Sequence, residues 1–209
     1  MKHICSHYDK NLINSLPRAG FDGRIYIIQS ETEAARAVDF LLCQPILGFD
    51  TETRPTFKRG QMHSVALLQV ASHDVCFLFR LNLMHGLPHP IITLLQDKKV
   101  TKVGLSLHDD FLSLRRRAPF RQGTFIELQD EVKRIGIQDM SLQKIFAILF
   151  GQKISKGQQL SNWEADVLTE AQKRYAATDA WACILIYEEI RQLLATGDYQ
   201  TETTDPLPS

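Results

Sequence analysis

The segment Ile46–Asp50 (ILGFD) constrains the fold more than any other stretch, because it is an apolar run that stops at an acid. Apolarity without alternation suits a strand covered on both faces. Such a strand needs helices above and below it, which points to a layered α/β domain. Its neighbours agree. Ser64–Ala71 (SVALLQVA) and Val75–Phe79 (VCFLF) are further apolar runs, separated by the polar turn Ser72-His73-Asp74. Short connections between the runs predict an antiparallel meander.

The flanking segments complete the layers. Arg24–Gln29 (RIYIIQ) reads as an edge strand. Ser30 reads as the N-cap of a helix reaching about Cys43, with Glu31 and Glu33 in its first turn. Pro88–Gln96 reads as a helix, Lys99–Val103 as a strand, His108–Arg117 as a helix and Phe125–Leu128 as a strand. That succession adds parallel strands through right-handed crossovers. From Ser141 the pattern is helical, over Ser141–Phe150 and from Glu170 to about Leu194. The expected fold is α/β, a mixed five- to six-stranded sheet of antiparallel meander plus parallel strands, flanked by helices. Residues 1–23 read as an extension packed on the domain or partly mobile, 24–196 as the domain. Residues 197–209, polar and with two prolines, read as a disordered tail.

Composition leaves the partner open. Lys plus Arg number 24 and Asp plus Glu number 24, so the net charge is zero. Nucleic-acid binders often carry a basic excess, but a nuclease that gathers carboxylates at its site offsets basic residues elsewhere. Cys5, Cys43, Cys76 and Cys183 are scattered and form no C-x-x-C pair. Cys43, Cys76 and Cys183 lie in apolar surroundings, as buried free thiols do, so a reduced, cytoplasmic compartment is expected. No apolar stretch reaches the length of a membrane span, and the N-terminus lacks a signal peptide's apolar core.

Three segments place acids where apolar surroundings make them costly. Asp50 and Glu52, two apart, share a face if the strand continues through them. Two carboxylates on one buried face need a positive partner; alternatively the strand has ended and Thr51–Arg54 is a solvated turn. Lys102–Leu114 (KVGLSLHDDFLSL) runs from a strand into a helix whose first turn holds Asp109 and Asp110. Acids there also serve the helix dipole, and only one of the two need face a site. Tyr175 and Asp179 lie one turn apart on a helix rich in Ala176, Ala177, Ala180, Trp181 and Ile184. They form either an edge hydrogen bond or part of a site. His3, Cys5 and His7 alternate at the N-terminus, but a metal site there lacks a fourth ligand and a fixed scaffold.

Phe49–Thr53 (FDTET), Lys102–Leu114 and Tyr175–Asp179 (YAATD) resemble, in order and spacing, motifs I, II and III of the DEDDy-type 3′→5′ exonucleases. These form the RNase D-like and Werner-helicase-like branch of the RNase H-like fold, and Gln158–Ala182 (QQLSNWEADVLTEAQKRYAATDAWA) is especially similar to it. The resemblance covers roughly residues 24–194. It implies that Asp50, Glu52, Asp110 (rather than Asp109) and Asp179 are metal ligands, with Tyr175 orienting the attacking water. The cofactors implied are two divalent cations, Mg²⁺ or Mn²⁺, which suit oxygen donors. The implied partner is nucleic acid, a single-stranded 3′ end of DNA or RNA, with no membrane. Thr51, His108, Lys156, Asn162 and Trp163 become substrate contacts, although Trp163 equally suits core packing. Phe57, Lys58 and Arg59 would guide the strand, and Arg115-Arg116-Arg117 reads as a solvated helix end open to phosphate. Thr53 departs from the pattern, since relatives carry a large apolar residue after the motif I glutamate. With no helicase or helical nucleic-acid-binding domain within these 209 residues, the domain is expected to act alone or to borrow specificity from a partner. The alternative is a catalytically silent binding or scaffold module of the same fold, whose usual mark is loss of the acids; here all four stand.

Overall fold

The apolar runs fold as the central strands of one mixed sheet, in a computed structural model that describes residues 1–57, 60 and 62–202. In chain order the elements are β1 (Lys2–Cys5), α1 (Lys10–Ile13), β2 (Arg24–Ile28), α2 (Glu31–Leu41), β3 (Ile46–Thr53), β4 (Val65–Ala71) and β5 (Val75–Arg80). Then follow α3 (His89–Gln96), β6 (Thr101–Gly104), α4 (Leu107–Arg115), β7 (Phe125–Glu127), α5 (Leu128–Lys133), α6 (Leu142–Phe150), α7 (Glu170–Thr196) and β8 (Tyr199–Glu202). The main sheet has six strands in the order β2-β5-β4-β3-β6-β7. β3, β4 and β5 form the antiparallel meander, while β2 joins β5, β6 joins β3 and β7 joins β6 in parallel. The expected architecture is therefore the observed one, and β2 takes the edge.

Strand alternation sorts β3 between two cores. Leu47 and Phe49 face one side, where α2, α3 and α4 pack around Val38, Leu41, Ile91 and Phe111. The other face lies under α7. Closeness there depends on a missing side chain: a Cβ on Gly48 would stand 1.8 Å from the Ala180 carbonyl oxygen. Gly48 and the run of small α7 residues let helix and strand meet backbone to backbone. Cys76, Leu78, Trp163, Tyr175, Ala176 and Ala180 close this second core.

Three expectations change. β3 continues to Thr53, so the reading of Thr51–Arg54 as a turn does not hold; the register slips between Glu52 and Thr53, a bulge of the kind that re-aims side chains beside sites. Tyr199–Glu202, expected in a disordered tail, forms β8 and pairs in parallel with β1, which makes a small second sheet from the N-terminal extension. The anchor is steric as well as hydrogen-bonded, since Thr201 seats against Gly136 and donates to the Ile135 carbonyl. Cys43 is exposed rather than buried; Cys76 and Cys183 are buried, and all four thiols are free. Among the described residues no helix is long and apolar enough to cross a membrane.

Candidate active site

Each acidic segment reaches the same end of the sheet for a local reason. Asp50 and Glu52 sit on the α7 face of β3, carried there by the alternation that turns Phe49 and Thr51 the other way. α7 starts at a capping box, with Thr169 and Gln172 satisfying each other's backbone N–H groups. Tyr175, Asp179 and Cys183 follow at four-residue spacing on one stripe of that helix. Ligand oxygens of Asp50, Glu52 and Asp179 lie within 4.8 Å of one another. All three line a pocket of about 280 Å³ whose other walls include Thr51, Ser155, Lys156, Tyr175 and Cys183.

Asp110 joins from α4. In the first turn of that helix Asp109 is exposed and Asp110 half-buried, so only Asp110 turns inward. It accepts a short hydrogen bond from the Thr51 hydroxyl. The helix start is unusual. Ser106 has φ 62°, the one non-glycine residue with positive φ among the described residues, and it caps nothing with its side chain. Glu127 at the end of β7 substitutes: its carboxylate accepts from the Ser106 and Leu107 backbone N–H groups at 2.9 and 2.7 Å. Glu127 thus sets the pitch of α4 and with it the position of Asp110.

The electrostatics are those of a cluster short of positive charge. Burial first, then Asp110, Glu52 and Asp179, push the Asp50 carboxyl well above the usual range. Burial and the neighbouring acids raise Glu52 to about 9. Asp110 and Asp179 rise to about 7, mainly through burial, each relieved in part by its hydroxyl partner, Thr51 or Tyr175. Burial and the acids likewise hold the Tyr175 phenol above its ordinary value, so it stays protonated. Lys156, exposed at the rim, offers Asp179 modest help. An oxygen-only donor set whose charge, among the described residues, only Lys156 partly offsets fits hard divalent cations.

Other expected contacts divide. Thr51 and Lys156 line the pocket, and His108 and Asn162 do not. His108 is exposed on α4, and Asn162 accepts from the Glu164 N–H in the turn before α7. Trp163 is wholly buried and packs on Tyr175 at 6.0 Å between ring centroids, so it supports the tyrosine from beneath rather than meeting a base. Phe57 is exposed, and Lys58 and Arg59 lie outside the described residues. Arg117 does not end a solvated helix; it donates to the Val65 and Gly86 carbonyls, while Arg115 stacks over Phe111 and Phe120. His3 and His7 bond Glu202 and Gln138, and neither belongs to a metal-competent cluster among the described residues. Sequence reasoning missed Cys183, which the Asp179 spacing of four foretells. It also missed Glu127, which nothing local marks, and Gln69, buried directly across from Asp50 in β4 with neither amide atom bonded among the described residues.

Comparison with known proteins locates this arrangement. The family described as 3′–5′ exonuclease matches residues 25–195. The mouse bifunctional 3′–5′ exonuclease/ATP-dependent helicase WRN is 33% identical over 153 residues, covering 71% of this chain and 11% of that protein. Across the first three such relatives the chain spans between 11% and 41% of the relative's length. The exonuclease domain of Aedes aegypti Nibbler superposes with a TM-score of 0.76 at 19% identity, over 87% of this chain and 95% of that one. Escherichia coli RNase D, described as an exoribonuclease involved in structured RNA processing, gives 0.73 at 21% identity, over 83% and 46%.

Proposed function

Because the chain belongs to the 3′–5′ exonuclease family, we propose that it shortens DNA or RNA from the 3′ end, releasing nucleoside 5′-monophosphates. The observation that carries this reading is the group of Asp50, Glu52 and Asp179, whose ligand oxygens converge within 4.8 Å at the pocket floor. Asp110, tied to Thr51, supplies the fourth carboxylate. These four residues would hold two Mg²⁺ or Mn²⁺ ions, which when bound supply an activated water and stabilise the leaving 3′ oxygen.

The chain's own groups do the rest. Tyr175 acts as a hydrogen-bond donor and acceptor toward the water and not as a base, because its phenol is held protonated. The Asp179 carboxylate and the Trp163 ring beneath fix its direction. Lys156 meets a phosphate at the rim. Thr51 spends its hydroxyl on Asp110, which makes it a positioning residue first. His108 and Asn162, outside the pocket walls, reach the substrate only beyond the terminal nucleotide.

The test uses a 5′-labelled oligonucleotide with Mn²⁺, as single-stranded DNA, recessed duplex DNA and RNA. Stepwise 3′ shortening is expected, and Asp110→Asn or Asp179→Asn should reduce it on the order of a hundredfold or more. Shortening that persists undiminished in those variants sinks the reading. So does a wild-type protein that neither shortens any substrate nor gains thermal stability from Mn²⁺.

A further inference from the structure

Beside the acidic pocket lies a second, larger groove, with a volume of about 510 Å³. One wall is α7 and another is the segment Arg18–Asp22, which precedes the family match; Ser155 and Gln158 also line it. The two cavities share Tyr175 and Ser155, so the groove opens from the edge of the candidate active site. Helix spacing explains the division. Ala171, Arg174 and Thr178 stand on one stripe of α7 and face the groove, while Tyr175, Asp179 and Cys183 form the adjoining stripe in the acidic pocket.

The far wall is built rather than draped. The Ala19 N–H donates to the Lys153 carbonyl and the Lys153 N–H to the Pro17 carbonyl, both at 2.9 Å. The Phe21 N–H donates to the Thr178 hydroxyl at 3.0 Å, and the Phe21 ring is buried edge-on against Trp181. Across the groove stand two exposed guanidiniums, Arg18 and Arg174. Among the described residues neither is held in a hydrogen bond or ion pair through its side chain; Arg174 feels Glu170, whose carboxylate is already bonded to Lys173. Among the described residues Asp22 is the one acid in the walls. The groove is therefore basic where its neighbour is acidic. Paired guanidiniums suit phosphate oxygens, and contacts to phosphate carry no base preference.

Resting on the nuclease reading above, we propose that this groove carries the single strand leading away from the scissile phosphodiester, with Arg18 and Arg174 on its phosphates. The acidic pocket then takes the terminal phosphodiester through its cations, and the N-terminal segment supplies the counter-charge for the phosphates that follow.

The full chain tests this with Arg18→Gln/Arg174→Gln and the charge-keeping Arg18→Lys/Arg174→Lys. Binding of a labelled ten-nucleotide strand is read by anisotropy with Ca²⁺ in place of Mn²⁺, between 50 and 200 mM salt. Each lost phosphate contact lowers the log–log salt slope by about 0.7, so the affinity lost across that range shrinks about sevenfold in the glutamine pair. The lysine pair retains most of the slope. With Mn²⁺, the ratio of kcat/KM on the ten-nucleotide strand to that on a dinucleotide falls toward one in the glutamine pair. Equal melting temperatures confirm that both variants fold. An unchanged slope and an unchanged length ratio overturn the proposal, as does a wild-type protein that binds no strand. A slope difference without Mn²⁺-dependent shortening in the wild type keeps the groove as a binding site and overturns the nuclease reading instead.

Discussion

Asp109 and Asp110 show what a single residue's environment decides. The sequence offers two adjacent acids in a first helical turn, and only alignment prefers the second. In the fold the first is exposed and the second turns inward to Thr51. Asp179 was easier to read, since an acid on an alanine-rich helix stripe needs a partner and Tyr175 stands one turn away. The sequence allows Trp163 either a base contact or core packing and reads Cys43 as buried; packing against Tyr175 and exposure after a helix end both depend on where distant segments land. At this scale, removing one acid from a cluster that repels itself should help the metal-free fold. Asp179→Asn should raise the metal-free melting temperature at pH 8 by a few degrees, while shrinking the Mn²⁺-induced rise; differential scanning fluorimetry with and without Mn²⁺ reads both. A drop in the metal-free value contradicts the picture of a charge-starved cluster.

Elements hold the acids at fixed separations. The apolar runs made β3, β4 and β5 legible, and the helical periodicity made α2, α6 and α7 legible. α5 was invisible because six residues are too few for a period to register. β8 was invisible because its polar sequence pairs with a strand almost two hundred residues away. Two contacts between elements carry predictions. Glu127→Ala leaves the Ser106 and Leu107 N–H groups without their carboxylate, and loss of such a cap costs about 1–2 kcal/mol. With α4 loosened, Mn²⁺ affinity should fall as well, whereas Glu127→Gln should keep most of both. Urea denaturation and a Mn²⁺ titration distinguish them. Gly48→Ala drives a methyl into the Ala180 carbonyl. Overpacking of that kind costs about 1–3 kcal/mol, or roughly 2–4 °C of melting temperature per kcal/mol at this size. Activity should fall further than stability explains, since the shift lies between Asp50 and Asp179.

For the whole molecule, the acidic cluster links pH, metal and stability. All four carboxyls bind protons more tightly folded than unfolded: Glu52 titrates at about 9 and Asp110 and Asp179 at about 7, against about 4 for free carboxyls. Folded values above unfolded ones mean stability that is complete below about pH 4 and lost as pH rises toward about 9. The metal-free protein should therefore melt at progressively lower temperature from pH 5 to pH 9. Divalent cations compete with those protons, so the stabilisation at fixed Mn²⁺ should grow over the same window. Melting curves on a pH grid measure both trends, and a metal-free protein that becomes more stable toward pH 9 contradicts them. The close approach of α7 to β3 at Gly48 has one more consequence. Asp50 and Glu52 project from β3 and Asp179 from α7, two backbones packed this closely, so helix and strand cannot move together to narrow the space between their acids. Acids held at so short a spacing should suit Mg²⁺, with oxygens at about 2.0–2.1 Å, better than Ca²⁺ at about 2.3–2.6 Å; a larger melting-temperature rise with Mg²⁺ than with Ca²⁺ is expected, and equal rises contradict it. The glycine that admits the helix thereby sets how near the acids of strand and helix stand to one another.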